Sequence, residues 1–129
     1  MVPLSSSGKY QITFEDRVGY LYAYVRGERA SLAIARKYWT DIAERAIAFN
    51  TKRLLVVEDI PEAIAISEVH QLATELSELP VKDIRVAFVD LYAQHKSLND
   101  FGILVAGNRG LSLRGFESVE SAEKWLLAD

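Results

Sequence analysis

Val105-Ala-Gly-Asn-Arg-Gly110-Leu-Ser-Leu-Arg-Gly115-Phe-Glu-Ser-Val-Glu120-Ser-Ala-Glu-Lys-Trp125-Leu-Leu127 decides the fold of this chain. It opens as the end of a helix. Gly107 or Gly110 supplies the left-handed residue that closes such an end. Leu111 to Leu113 makes a short strand. Ser118 is placed to cap a last helix that turns Val119, Ala122, Trp125 and Leu126 inward at helical spacing. Helix, strand and helix in this order form the closing unit of an α/β domain.

Upstream, the same alternation repeats. Ile84-Arg-Val-Ala-Phe-Val89 reads as a strand closed by Asp90, followed by a helix from about Ala93 to Ala106 with Leu98, Phe101 and Val105 inward. Leu54-Leu-Val-Val57 is a continuous apolar run, as expected of a strand buried on both faces. Ser67 is placed to cap the helix between these strands, with Val69, Leu72, Ala73 and Leu76 as its stripe and Pro80 marking its end. A longer helix runs from Ser31 to about Asn50, with Leu32, Ala35, Trp39, Ile42, Ala46 and Phe49 on one face. Ahead of it, Tyr10 to Glu15 and Tyr20 to Arg26 alternate with a period of two around the turn at Asp16 to Gly19, which predicts a β-hairpin. Leu21, Ala23 and Val25 point one way, and Tyr20, Tyr22 and Tyr24 the other. The order is β-β-α-β-α-β-α-β-α, an α/β domain with a mostly parallel sheet of about five strands opened by a hairpin. Residues 1–8 are expected to be a frayed polar leader, and residues 9–129 a single domain.

Composition narrows the function classes. The chain has 129 residues, is 50% hydrophobic and 26% charged, and carries a net charge of −3. Nucleic acid is disfavoured, because Arg26, Arg29, Arg36 and Lys37 are split by acidic and apolar residues and form no basic stripe. Cysteine is absent, which removes disulfides, thiolate metal sites and cysteine nucleophiles and suits a reducing compartment. No signal peptide is apparent, and no apolar run approaches the roughly 20 residues of a membrane span. A cytoplasmic protein is the expectation. No nucleophile elbow, phosphate-binding loop, dinucleotide fingerprint or metal-ligand motif occurs, so neither a cofactor nor a metal is expected.

Taken together, this order and the closing segment resemble the SpoIIAA-like (STAS-type) domains, whose members include anti-sigma-factor antagonists. The segment shares with them Asn108-Arg-Gly110, a strand ending near Phe116 and a serine-capped helix with Ala122 and the Trp125-Leu126 pair. The topological resemblance runs from about Tyr10 to Leu127. It implies a non-enzymatic regulatory or protein-interaction domain. In the antagonists, a serine at the start of the second helix is phosphorylated by a partner kinase. Ser67 stands near that position, and Asp59 resembles the acid after the third strand. The family's Asp-Ser-Ser-Gly is not reproduced, since Glu68, Val69 and His70 follow Ser67.

Several residues carry two readings. Ser67 is a phospho-switch at a helix N-terminus or a plain cap. The connection Ile60 to Ile66 is unusually apolar for a loop. With Asp59, Ile60, Ile64, Ile66, Ser67 and His70 it forms either a lip for a partner or apolar ligand, or core folded under the last helix. Tyr20, Tyr22 and Tyr24 suit a homodimer face or packing against the first strand. Glu58, Asp59 and Asp90 sit where strands end at their carboxyl edge, where open α/β sheets bind ligands. Loop solvation with helix capping is the favoured account of them, and catalysis needs two of them converging with shifted pKa values. His70 and His95 read as surface or rim residues, and Arg109 and Arg114 as weak anion contacts. Two functions remain: a regulatory interaction domain with an unidentified protein partner, and a small-molecule or lipid-binding module of the STAS or SEC14-like kind that uses the Ile60–Ile66 segment as a pocket wall.

Overall fold

The computed structural model describes residues 5–6 and 9–128. Its sheet has five full strands and a two-residue edge, in sequential order. The edge β1 (Ser5–Ser6) pairs antiparallel with β2 (Tyr10–Arg17), and β2 with β3 (Tyr20–Gly27). β3, β4 (Arg53–Asp59), β5 (Arg85–Asp90) and β6 (Ser112–Phe116) are mutually parallel. The expected alternation of strands and helices is present. The expected leader falls mostly outside the described residues, and within it Ser5 and Ser6 pair with Ile12 and Gln11.

Four helices complete the domain: α1 (Leu32–Ala48), α2 (Ile66–Leu76), α3 (Lys96–Asn108) and α4 (Val119–Leu127). The first three are crossovers between parallel neighbours and share one face of the sheet, as right-handed connections in a sequential sheet require. Among the described residues, α4 alone of the helices covers the other face. The core is therefore in two layers. Ile12, Phe14, Ala23, Val25, Leu54 and Val56 face α1 and its Ala35, Tyr38, Ile42 and Ala46. Leu55, Val57, Ala87 and Val89 face α4 and its Ala122 and Leu126.

Local chemistry sets the helix ends. Ser31 caps α1 by accepting from the Ile34 N–H at 3.1 Å, and Ser118 caps α4 from Ser121 at the same distance. α1 and α3 close in the same way. Thr51 N–H reaches Ala46 O and Asn50 N–H reaches Ile47 O, while Leu111 N–H reaches Ala106 O and Gly110 N–H reaches Gly107 O. Each is a Schellman end built on a left-handed residue, Asn50 at φ 52° and Gly110 at φ 97°. At the hairpin, Gly19 (φ 89°) lies so close to Leu127 that a Cβ would come within 2.8 Å of that side chain.

Several expectations need correction. Ser67 does not cap α2. Ala65 holds that position, and Glu68 reaches back to the Ala65 N–H at 3.0 Å, so Ser67 lies inside the first turn. Phe49 lies past the end of α1 and is 59% exposed, whereas Tyr38, absent from the expected stripe, is buried. The expected helix from Ala93 begins as a 3₁₀ turn, Ala93–His95, before α3. The last strand runs to Phe116 rather than Leu113.

Candidate functional site

The period of two along β4 places Leu54, Val56 and Glu58 on the three-helix face, and Leu55, Val57 and Asp59 on the α4 face. On β5, Phe88 and Asp90 take the three-helix face. Glu58 and Asp90 are register partners at the carboxyl ends of the two strands. Both line a cavity of about 120 Å³ between the sheet and α1, α2 and α3. Most of its wall is apolar, including Ile60, Ile64, Val69, Leu72, Phe88 and Leu98. Trp39, Leu76, Leu111 and Leu113 separate it from a second apolar void of about 70 Å³. Gly102 makes the close approach of α3 to α2 possible, since a Cβ there would meet Val69 at 2.9 Å. The volume approaches that of apolar cavities of about 150 Å³ that accept benzene.

The polar groups of the cavity form two sets. In the first, the Tyr38 hydroxyl donates to Glu58 Oε2 at 2.7 Å. Among the described residues Glu58 Oε1 has no hydrogen-bond partner, yet no fully buried side-chain polar atom is left unpaired. Oε1 therefore keeps accessible surface, and Glu58 is among the residues that line the cavity. Burial pushes the Glu58 carboxyl up to about 7; Asp90 adds to the rise, while the Tyr38 hydrogen bond and His95 oppose it. Burial also drives the Tyr38 hydroxyl well above its usual range, with Glu58 adding to the effect.

In the second set both oxygens of Asp90 accept hydrogen bonds. Its Oδ1 accepts from Tyr92 N–H at 2.8 Å, and its Oδ2 from Asn99 Nδ2 at 2.9 Å and His95 Nδ1 at 3.0 Å. His95 Nε2 lies 3.0 Å from Pro61 O. A carboxylate and a carbonyl are both acceptors, so both contacts are hydrogen bonds only when the ring carries two protons. His95 thus ties β5 to the Ile60–Ile66 segment. It is buried at 6% exposure, which corrects the expectation of a rim residue.

The expected surface residues separate. Ile60 is buried and Ile64 lines the cavity, so the segment walls the space on the three-helix side; it does not lie under the last helix. Asp59 points to the other face, where it accepts from the hydroxyls of Tyr24 and, at 3.0 Å, of Tyr92. That bond is the main cause of the Tyr24 hydroxyl being pushed up to about 12. Ile66, Ser67 and His70 are exposed on α2, with His70 beside the Phe101 ring at 6.2 Å. Tyr20 is buried beneath α4 and donates to Glu123 at 2.6 Å, while Tyr22 and Tyr24 are half-buried. Arg109 and Arg114 are exposed, and Arg114 stacks over Phe116 at 5.4 Å. Tyr38, His95 and Asn99 escaped the sequence reading. Tyr38 had a usable signal, because 35, 38, 42 and 46 are helical neighbours.

Among the described residues, no cluster of three or more His, Asp or Glu is arranged to hold a metal ion, and no helix is long and apolar enough to cross a membrane. No family model matches the chain, and no curated protein matches it.

Proposed function

We propose that this chain is a non-enzymatic binding domain whose cavity beside Glu58 holds a small molecule with an apolar body. The observation that carries this reading is the cavity itself, apolar over most of its wall with the Glu58 carboxyl, one oxygen of which has no hydrogen-bond partner among the described residues, in its lining. Ligand pockets have this character, mainly apolar with a few directed polar groups at the carboxyl edge of the strands. A binding role fits better than catalysis. Glu58 and Asp90 do converge, but both Asp90 oxygens and both His95 nitrogens are engaged in contacts with the protein. That leaves Glu58 without a second free acid or base.

The regulatory reading draws on the same segment. Ile60 and Ile64 contact the cavity, and a few residues on Ile66, Ser67 and His70 face solvent. A ligand that shifts the segment would change that surface, where the exposed Ser67 hydroxyl is open to a kinase. The sequential sheet and the closing unit at 105–127 support a SpoIIAA-like domain acting on a cytoplasmic partner.

Native mass spectrometry of the protein purified from its own cells tests the binding role. Wild type is expected to carry a small molecule that Ala73→Leu, which fills the cavity from α2, does not. Two ligand-free spectra would contradict it.

A further inference from the structure

The three carboxyls that line the cavity, Glu58, Glu62 and Asp90, differ in their partners. Glu62 accepts from Ala30 N–H at 2.7 Å and lies 3.6 Å from the Arg29 guanidinium. Asp90 lies 3.0 Å from His95 Nδ1, and the other ring nitrogen lies 3.0 Å from Pro61 O. Glu58 meets only the neutral Tyr38 hydroxyl, and among the described residues no cation forms an ion pair with it. α2 adds no charge, since it presents Val69, Leu72, Ala73 and Leu76 to the space. Among the described residues, Glu58 is therefore the one carboxyl lining the cavity with no basic side chain at ion-pair distance.

The free hydrogen-bonding groups agree with this. Glu58 Oε1, the lone pairs of the Tyr38 oxygen and the Asn99 side-chain oxygen are acceptors. Among these side chains the free donors are few, the second amide hydrogen of Asn99 and, when Glu58 is protonated, its own O–H, because the Tyr38 hydrogen and the other Asn99 hydrogen are given to protein acceptors. A carboxylate or phosphate ligand would meet the Glu58 and Asp90 carboxyls and few side-chain donors. A neutral hydrocarbon would leave Oε1 unpaired, which is costly in an apolar space.

We infer that the cavity takes a small primary amine, with its ammonium against Glu58 and a hydrocarbon body of about six carbons between the three helices. This rests on the ligand-binding reading and specifies its ligand class. Binding converts a neutral carboxylic acid and a free ammonium ion into a carboxylate–ammonium pair, and the carboxyl proton is released to solvent. Affinity therefore rises with pH through the range in which Glu58 holds its proton.

Calorimetry of the full chain with benzylamine, benzyl alcohol, toluene and benzoate, at pH 6 and pH 8, tests the inference. Benzylamine is expected to bind at least about tenfold more tightly than benzyl alcohol at pH 8. It should bind more weakly at pH 6, with a heat that changes with the buffer's ionisation enthalpy. Glu58→Gln keeps the shape and the Tyr38 contact, and should bring amine and alcohol to equal affinity. The proton-release measurement on wild type stands even if that variant fails to fold. Equal binding of benzyl alcohol and benzylamine by wild type would overturn the amine inference and leave the cavity reading intact. Preference for benzoate would do the same. No binding by any probe would remove both.

Discussion

Glu58 and Asp90 face each other across β4 and β5 and line one cavity, yet their surroundings are opposite. Asp90 accepts three hydrogen bonds and has His95 beside it; Glu58 accepts one, from a neutral hydroxyl. Two like groups on one face are thereby split into a structural anion and a carboxyl that burial holds near neutrality.

Stability should record that split. In the unfolded chain Glu58 titrates near its ordinary 4.5, and in the fold near about 7. Between these values the folded state binds more protons, so the Glu58 contribution lowers stability as pH rises through the window and is constant above it. A shift of this size is worth up to about 3 kcal/mol. Urea denaturation should show Glu58→Gln gaining about 2–3 kcal/mol on wild type between pH 5 and pH 8. Parallel pH profiles would contradict this placement of Glu58.

His95 holds the Ile60–Ile66 segment. Replacing it with Ala removes the buried ring that bridges Asp90 Oδ2 and Pro61 O. The expected loss is about 1–3 kcal/mol. Amide exchange at Glu62 to Ile64 should accelerate more than exchange in β2. A loss below about 0.5 kcal/mol would show that the pair contributes nothing.

The two serines separate capping from mere proximity to a helix start. Ser31→Ala removes a side-chain acceptor from the α1 terminus and should cost about 1 kcal/mol. Ser67→Ala, inside the first turn of α2, should change stability by less than about 0.5 kcal/mol. Equal losses in chemical denaturation would put the α2 cap back on Ser67.

Tyr20 belongs to the core beneath α4, so Tyr20→Ala should cost about 3–5 kcal/mol. Tyr22→Ala, at a half-buried position, should cost clearly less. Thermal unfolding of both variants checks the order, and a reversed order would show that the stripe is covered differently.

Much of the architecture was legible because it rests on local patterns. The alternation in β2 and β3, the apolar run at 54–57 and the serine caps at Ser31 and Ser118 each follow from a few neighbouring residues. The cavity was not legible for the opposite reason. Period two puts Glu58 and Asp90 on a common face, but only the register of β4 against β5 sets them opposite each other. His95 looked like a surface residue because its partners, Asp90 and Pro61 O, come from different parts of the chain. The docking of α4 is similar. Arg85 donates to the carbonyls of Trp125, Leu126 and Ala128 and lies over the Trp125 ring, forty residues away in sequence. The apolar character of Ile60 to Ile66 was visible, but the side of the sheet it would wall depended on α4 taking the opposite face.

Methyl NMR of the full chain, titrated with benzene, tests the central claim most directly. The account predicts saturable shifts at Ile60, Ile64, Val69, Leu72 and Leu98 around the cavity, with Leu55 and Leu126 on the α4 side unmoved. Shifts confined to the exposed Ile47 and Leu104, or none that saturate, would contradict it.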